Sequence, residues 1–265
     1  MTFVHLTLSF LPDMFWASGI VLQLAAGALL LALVVGMFVA LVRISGNRFL
    51  TPLAVIYLEL FRGTPLLVQL IYIYFGLPAL GFSLSPVMAG ILGLGLNYGA
   101  YLSEVFRSSI ESIDAGQNEA ALSLGYTPRK SLFRIVIPQS LLVALPSVGN
   151  YFVSMLKDTA LTSVIAVVEI VKTANVLAST TFQTVPIYTA AALMYLILSL
   201  PLSRLLVIGE RKTAYLCLKL LRLDRHPSST SRTCTRLFLL RTRRLYNGCE
   251  GGNAIPARTS RYSKA

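Results

Sequence analysis

Long apolar runs without a single charged side chain constrain the fold of this 265-residue sequence more than any other feature. One run extends from Met14 to Val42 and another from Gly63 to Ser103. A helix needs about 20 such residues to cross a membrane, where every backbone polar group must be hydrogen-bonded within the protein. Charged residues make up only 13% of the sequence, against about 25% in soluble domains. The sequence therefore predicts an all-α integral membrane protein and excludes an ordinary soluble enzyme.

Glycine and proline residues divide the apolar sequence into five predicted transmembrane helices. Four of them between residues 76 and 86 interrupt the second run, so we predict two helices there. Pro65 lies inside the first of these two helices and is expected to loosen it. The transmembrane domain, residues 14–212, follows a short external segment, residues 1–13. Its predicted spans cover residues 14–42, 53–76, 86–106, 135–156 and 186–207.

Positive charge is concentrated in the C-terminal part of the sequence. Residues 1–203 contain nine Lys/Arg and eight Asp/Glu, whereas residues 204–265 contain fourteen and three. Because Lys and Arg favour cytoplasmic loops, we expect the N-terminus outside the cell and the C-terminus in the cytoplasm. We expect residues 213–265 to form a basic, disordered cytoplasmic tail. The near-neutral remainder of the chain gives no sign of a nucleic-acid partner.

No set of side chains in the sequence predicts catalysis or metal binding. The two histidines, His5 and His226, lie at opposite ends, the three cysteines lack CxxC spacing, and no P-loop motif occurs. We therefore expect no catalytic residue, no metal and no cofactor in this chain. The absence of a suitable constellation disfavours an intramembrane enzyme. A self-sufficient secondary transporter is disfavoured because five spans do not form two equal repeats.

The polar segment of residues 112–131 carries the signals of a short helix followed by a sharp corner. Asp114 and Gln117 resemble a capping box, and Gly125 suits a left-handed C-cap. Thr127-Pro128 is typical of the start of a further helix. Two adjacent alanines leave little bulk on one face of the first helix, which can therefore lie close inside another protein's cleft.

At this loop the sequence resembles the EAA loop of ATP-binding cassette (ABC) importer permeases. The match consists of Glu119-Ala120-Ala121, three residues, Gly125, nine residues and Ile135-Val136-Ile137-Pro138. Over residues 14–212 the chain resembles more narrowly the polar amino-acid uptake permeases, the histidine-glutamine-glutamate-arginine permease family. The further motifs that carry this resemblance are Glu59-Leu-Phe-Arg62-Gly63-Thr64-Pro65-Leu-Leu-Val-Gln69, Tyr101-Leu-Ser-Glu104-Val-Phe-Arg107, Gly116-Gln117-Asn-Glu119-Ala-Ala and Lys157-Asp158-Thr159.

The resemblance implies the type I ABC importer permease fold, with five transmembrane helices and a cytoplasmic coupling helix, and a role in ATP-driven import of polar amino acids. The implied location is the bacterial cytoplasmic (inner) membrane. The implied partners are a second permease subunit, identical or paralogous, two ABC ATPase subunits that carry ATP and Mg²⁺, and an extracytoplasmic solute-binding protein. The residues that the resemblance assigns to ATPase coupling are Gly116, Gln117, Glu119, Ala120, Ala121 and Gly125.

Polar side chains within the predicted spans are candidates for the substrate path, because such groups are costly in lipid. Glu59 and Arg62 lie three residues apart on one helical face and either form a structural ion pair or border the path. Lys157 and Asp158 either pair with each other, contact a binding protein or meet a zwitterionic substrate. The GxxxG motif at Gly95–Gly99 favours close helix packing, including at a dimer interface. The full set of path candidates is Glu59, Arg62, Thr64, Gln69, Asn97, Asn150, Lys157 and Asp158.

Overall fold

The computed structural model describes residues 7–223, with side chains described through residue 206. The chain divides into two units, Met1–Tyr215 and Leu216–Ala265, and the second is described only by its helical residues 216–223. Helices and turns make up the described range, which contains no strand. The α-helices are α1 (Leu11–Ile44), α2 (Leu50–Gly63), α3 (Leu66–Ile71), α4 (Pro86–Glu111), α5 (Ala115–Ser123), α6 (Pro128–Ser131), α7 (Ile137–Asp158), α8 (Ile170–Thr181) and α9 (Thr184–Leu223). Shorter π-helical segments cover Tyr72–Gly76 and Leu132–Val136, and 3₁₀ segments cover Leu77–Leu80 and Thr159–Ile165.

The contact between α1 and α4 is the most extensive between any two helices of the described chain. Small residues recur at every fourth position of the buried face of α1, namely Ala28, Ala32, Gly36 and Ala40. A Cβ atom added at Gly36 would lie 3.0 Å from the carbonyl oxygen of Gly99 on α4. Small side chains of this kind let two helix backbones approach closely. The GxxxG motif of α4 therefore packs against α1 of the same chain, and this corrects its placement at a dimer interface.

The second predicted span is broken near its middle. α2 ends at Gly63 and α3 begins three residues later. The helix axis bends by 107° between the helical segments on the two sides of the break. Thr64 is extended, with φ −113° and ψ 147°, because a residue before proline avoids the helical region. Pro65 has no N–H to donate to the carbonyl of Phe61, four residues earlier. The segment predicted as a span over residues 53–76 therefore contains two helices, and the loosening expected at Pro65 is a complete break.

The N-terminal half of α1 also organises the last helices of the described chain. Met14 and Val21 of α1 are buried in one apolar cluster with Ile170 of α8 and Ile187 of α9. Since the remainder of α1 packs against α4, this one helix contacts both α4 and the last helices of the described range. The cleft described below is lined by residues of α2, α3, α4 and α7.

Three helical segments of the described chain are long and apolar enough to cross a membrane, namely Leu11–Ile44, Pro128–Ile165 and Thr184–Leu206. The bent pair Leu50–Gly63 and Leu66–Leu80 makes a fourth if it is one span. α4, which corresponds to the third predicted span, has 26 residues and carries charged side chains near its C-terminal end. The all-α membrane class is confirmed, while the count of five spans stays a prediction.

The C-terminal helix extends beyond the predicted transmembrane domain. α9 continues to Leu223, although that domain was predicted to end at residue 212. The domain limit at residue 212 and the disordered tail stay predictions, although residues 213–223 belong to this helix. Residues 224–265 of the tail and residues 1–6 of the external segment lie outside the described residues.

Candidate functional site

Side-chain amides replace the hydrogen bond that Pro65 cannot make. Gln69 Nε2 and Asn97 Nδ2 each donate to the Phe61 carbonyl oxygen at 2.9 Å. Gln69 Nε2 also donates to the carbonyl and hydroxyl oxygens of Thr64, at 3.1 and 2.7 Å. Asn97 Nδ2 donates in addition to Gln69 Oε1 at 3.0 Å, which ties α3 to α4. Because an unpaired buried polar group costs about 1–3 kcal/mol, this buried network stabilises the broken helix.

A cleft of about 450 Å³, which we call the central cleft, opens beside the break between α2, α4 and α7. Small-molecule sites in proteins have volumes of roughly 300–1,000 Å³. Four predicted path residues line the central cleft, namely Arg62, Thr64, Asn97 and Asp158. The remaining lining residues are Gly63, Pro65, Leu66, Tyr98, Tyr101, Tyr151 and Ser154. The central cleft is thus large enough for a small polar solute and carries charges of both signs.

Asp158 faces the central cleft, whereas its neighbour Lys157 does not line it. The hydroxyl of Tyr98 donates to Asp158 Oδ2 at 2.6 Å, which joins α4 to the end of α7. Lys157 is exposed, and no ion pair between it and Asp158 occurs in the described range. The structural pair that the sequence allowed is therefore absent. The Asp158 carboxylate therefore lies in the lining of the cleft with Tyr98 as its hydrogen-bond donor.

Arg62 pairs with a different carboxylate from the one that its sequence spacing suggested. Its Nη1 lies 3.6 Å from Glu104 Oε1, and its guanidinium carbon lies 5.6 Å from the centroid of the Tyr101 ring. Glu59 is exposed and borders a smaller cleft of about 290 Å³ that Arg62 also lines. A Glu59–Arg62 ion pair is therefore absent from the described residues, and Arg62 forms part of the wall of both clefts.

Three tyrosines that were not among the path candidates form much of the wall of the central cleft, although Tyr101 opens one of the family motifs. The rings of Tyr101 and Tyr151 stack with centroids 5.8 Å apart and planes at 28°. The centroid of Tyr98 lies 6.2 Å from each of them. The spacing of Tyr98 and Tyr101, three residues apart, indicates that both lie on one face of α4. No local sequence pattern indicates that this face meets Tyr151 of α7. Asn150, which the sequence nominated instead, is exposed and lies off the cleft.

Glu169 is a further acid that the sequence analysis missed. It is fully buried and accepts hydrogen bonds of 2.8 Å from the backbone N–H groups of Val171 and Lys172 and from the hydroxyl of Tyr195. Burial raises the pKa of the Glu169 carboxyl, an effect that these three donors oppose. The residue caps the N-terminus of α8 and fixes that helix to α9, so its role in this fold is structural.

The loop between α4 and α7 has the helix and corner that its sequence predicts. Asp114 Oδ1 accepts from Gly116 N at 2.7 Å, and Gly125 ends the helix with φ 81°. Thr127 Oγ1 accepts from Lys130 N at the start of α6. The reciprocal capping box between Asp114 and Gln117 does not form. The Asp114 side chain accepts from Gly116 N, and the N–H of Gln117 donates to the main-chain oxygen of Asp114.

α5 is attached to its own chain on one side and is exposed on the other. Ala121 is buried, and Ser131 Oγ donates to Asn118 Oδ1 at 2.7 Å. α5 contacts α6 and the π-helical segment that follows it. Ala121 therefore packs within the chain, and its assignment to the coupling set stays a prediction. The other residues of the predicted coupling set are exposed, namely Gly116, Gln117, Glu119, Ala120 and Gly125.

Comparison with known proteins identifies the family of this chain. Residues 32–215 match the family described as binding-protein-dependent transport system inner membrane component. The chain belongs to this family. It is accordingly a multi-pass inner-membrane permease subunit of an ATP-driven ABC importer, whose ATP is hydrolysed by a separate subunit. A solute-binding protein is the other partner that membership implies. Within the described range, no group of three or more His, Cys, Asp or Glu side chains could hold a metal ion.

Individual permeases resemble the chain over most of their length. The probable amino-acid ABC transporter permease protein PatM of Vibrio harveyi is 36% identical over 212 residues, which are 77% of this chain and 93% of PatM. The L-cystine transport system permease protein TcyB of Bacillus subtilis (strain 168) is 38% identical over 181 residues, covering 68% and 77%. The crystal structure of an amino acid ABC transporter with histidines contains a chain with a TM-score of 0.73 and 35% identity, covering 80% of this chain and 99% of that one. These similarities confirm the type I permease fold.

Proposed function

We propose that this permease imports a polar α-amino acid and that the central cleft binds it on the way through the membrane. The observation that carries the proposal is the presence of both Arg62 and Asp158 in the lining of one cleft. A zwitterionic amino acid carries an anionic carboxylate and a cationic ammonium group, and each has a partner of opposite charge in this cleft. A guanidinium group suits the carboxylate because its planar N–H donors match the two oxygens.

The remainder of the cleft suits a polar solute. The hydroxyl groups of Thr64 and Ser154 and the amide of Asn97 belong to lining residues, so substrate polar groups that leave water can find new partners. The stacked tyrosines give an apolar wall for a side-chain stem. The names of two relatives add support, since PatM is described as a probable amino-acid permease and TcyB as an L-cystine permease.

α5 is the proposed coupling helix, which docks on the ATPase subunit. Its exposed residues include most of the predicted coupling set, and its internal contacts to Ser131 and the following segment hold it in place without covering that face. A displacement of α5 would be transmitted through the π-helical segment Leu132–Val136 to α7, which ends at Asp158 in the cleft. This arrangement gives a continuous mechanical connection between the ATPase and the substrate.

The assembly that we propose contains a second permease subunit, two ATPase subunits and a solute-binding protein. We place the N-terminus outside the cell and α5 in the cytoplasm, because 20 of the 23 Lys and Arg residues then lie on the cytoplasmic side. Broad apolar faces that are exposed in the single chain, such as that of Leu141–Leu145 on α7, are available to lipid or to the second subunit.

The experiment that tests the substrate proposal is uptake into proteoliposomes with the cognate ATPase and binding protein, across a panel of amino acids. Asp158→Asn should lower the initial uptake rate about tenfold, which corresponds to the loss of about 1.4 kcal/mol of charge interaction. The matched control is Lys157→Gln, the adjacent charge change outside the cleft, which should leave the rate within about twofold. Equal losses in both variants, or wild-type transport of none of the amino acids, would contradict the proposal.

A further inference from the structure

Four charged residues form an ion-pair cluster where α1 and α4 meet, and Arg62 of α2 lies beside it. Glu104 Oε1 accepts from Arg43 Nη1 at 2.5 Å. Glu104 Oε2 accepts from Arg107 Nε and Nη2, both at 3.1 Å. Arg107 Nη1 donates in turn to Glu111, 2.6 Å from its Oε2. Arg43 and Arg107 therefore occupy both oxygens of Glu104.

Arg62 is the least tightly held cation beside this cluster. It lies 3.6 Å from the oxygen of Glu104 that Arg43 already occupies at 2.5 Å, which is beyond the ordinary length of an N–H···O hydrogen bond. Its side chain is 44% exposed, against 20% for Arg43 and 31% for Arg107. The cluster and Arg62 together contain three arginines and two glutamates, so one positive charge remains without a matching acid. The geometry leaves that charge on Arg62.

We infer that Glu104 and Arg43 are positioning residues that set the affinity of Arg62 for the substrate carboxylate. Glu104 attracts Arg62 away from the central cleft, and Arg43 limits that attraction because it occupies the shared oxygen. The substrate carboxylate and Glu104 compete for the guanidinium group of Arg62. Binding of substrate therefore weakens the only link between α2 and the cluster on α1 and α4 that the described residues provide. This inference rests on the proposed transport of an amino acid.

The competition predicts effects of opposite sign for two substitutions in one cluster. Glu104→Gln removes the competing charge, so Arg62 binds a carboxylate more tightly. Arg43→Gln frees Glu104 Oε1, so Glu104 holds Arg62 more closely and the substrate binds more weakly. A cluster that only stabilised the fold would lose function in both variants. Because ion pairs that are partly exposed are worth less than about 1 kcal/mol, each change in Kd should be about threefold.

The experiment is equilibrium binding of radiolabelled amino acid to the permease–ATPase complex in lipid nanodiscs. The binding protein is left out because its own affinity for the amino acid would dominate the measured binding. The probe is whichever of L-glutamine, L-cystine and L-arginine the wild-type complex binds most tightly. We expect Kd to fall about threefold in Glu104→Gln and to rise about threefold in Arg43→Gln. Arg43→Lys keeps the charge and should restore a value close to that of the wild type. Glu111→Gln is the control, because Glu111 contacts Arg107 and neither Glu104 nor Arg62.

The α-amide of the same amino acid provides the second arm, because it has no carboxylate for Arg62. Its displacement constant should be the same in all variants, whereas equal shifts for acid and amide would overturn the inference. Changes of Kd in the same direction in Glu104→Gln and Arg43→Gln would also overturn it. If Glu104→Gln does not assemble, an unchanged Kd in Arg43→Gln would overturn the inference by itself. If the wild-type complex binds none of the probes although it is intact, the proposed function itself fails. Normal wild-type binding together with shifts of the same sign refutes the positioning role alone.

Discussion

Helix α5, the proposed coupling helix, and the central cleft differ in how far apart along the chain their contacts lie. Around α5 the side-chain hydrogen bonds join residues that are 2, 3 and 13 positions apart, as in the pairs Asp114–Gly116, Thr127–Lys130 and Asn118–Ser131. Beside the cleft, Gln69 also bonds residues 5 and 8 positions away, but other separations reach 28, 36 and 60 positions, from Asn97 to Gln69, from Asn97 to Phe61 and from Tyr98 to Asp158.

This difference corresponds to two ways of using polar groups. The side chains of the coupling helix that face outward are exposed and make few contacts within the chain, so they are available to another subunit. Gln69 and Asn97 beside the cleft are buried and bond to one another, so they shape the permease itself. Substitutions in the first region should therefore change association with the ATPase, and substitutions in the second should also change the stability of the permease.

The largest expected effect concerns association, at Glu119. Glu119→Lys reverses an exposed charge on the coupling helix, and the truncation of one member of a buried charge pair at an interface costs about 2–5 kcal/mol. We expect the ATPase subunit to copurify weakly and stimulation of hydrolysis by the binding protein to be lost. Insertion and thermal stability should not change, because Glu119 is exposed and its side chain makes no hydrogen bond or ion pair among the described residues.

Arg48→Glu is the matched control for Glu119→Lys. It reverses an exposed charge in the short turn between α1 and α2, which we also place in the cytoplasm. Its copurification with the ATPase should equal that of the wild type. If Glu119→Lys retained both association and stimulated hydrolysis, the coupling role of α5 would have to move to another cytoplasmic segment.

The second effect concerns stability, at Asn97. Asn97→Leu leaves Gln69 Oε1 without its donor and removes one of the two donors to the Phe61 carbonyl. The loss of a buried hydrogen-bond partner costs about 1–3 kcal/mol, so the variant should unfold at a lower temperature and transport less. Thermal unfolding of the purified permease in detergent measures this change.

Asn150→Leu is the matched control for Asn97→Leu, because it removes the same side-chain amide outside the hydrogen-bond network. Asn150 is exposed, and its side chain makes no hydrogen bond among the described residues. Its substitution should alter stability by less than about 0.5 kcal/mol. A stability loss in Asn150→Leu as large as in Asn97→Leu would show that the two regions do not differ as the contacts indicate.

The smallest effect concerns local backbone conformation, at Gly125. Its φ of 81° is in the left-handed region, which costs a residue with a Cβ atom about 1–2 kcal/mol and a β-branched residue more. Gly125→Val should lower uptake by disturbing the corner after α5, while the chain still inserts and the core still unfolds at the wild-type temperature. Uptake is compared at equal membrane abundance.

Gly81→Val is a close control for Gly125→Val. Gly81 has φ 87° and open space around its Cβ position, as Gly125 has, but it follows the 3₁₀ segment Leu77–Leu80, away from the coupling helix. The local strain should be similar and the coupling should be intact. Equal loss of uptake in both variants would attribute the effect to backbone strain alone.

The features that were predictable from sequence are those that depend on neighbouring residues. The charge-free runs indicated a helical membrane protein, and Asp114, Gly125 and Thr127 specified the helix, corner and helix around α5. Pro65 indicated a weakened helix because the missing N–H group is visible in the sequence. The bend of 107° could not be predicted, because its size depends on Asn97, which bonds the freed carbonyl from another helix.

The charged residues illustrate the limit of such reasoning. Sequence spacing suggested that Glu59 pairs with Arg62 and Lys157 with Asp158, since these residues lie close along the chain. In the fold, Arg62 lies beside Glu104 and Asp158 bonds Tyr98. Ion pairs between neighbours on a helix are worth only a few tenths of a kcal/mol, so long-range packing easily overrides them.

The sequence by itself determined the membrane class, the family and the conformation of the coupling loop, because hydropathy, motif spacing and helix caps are properties of short segments. Only the tertiary structure decided which side chains meet in the central cleft and which carboxylate faces Arg62. The physical reason is the small residues of α1 and the glycines of α4, which let those two helices pack at close range. That packing sets the position of Tyr98, Tyr101 and Glu104 relative to α2 and α7, and no local pattern encodes it.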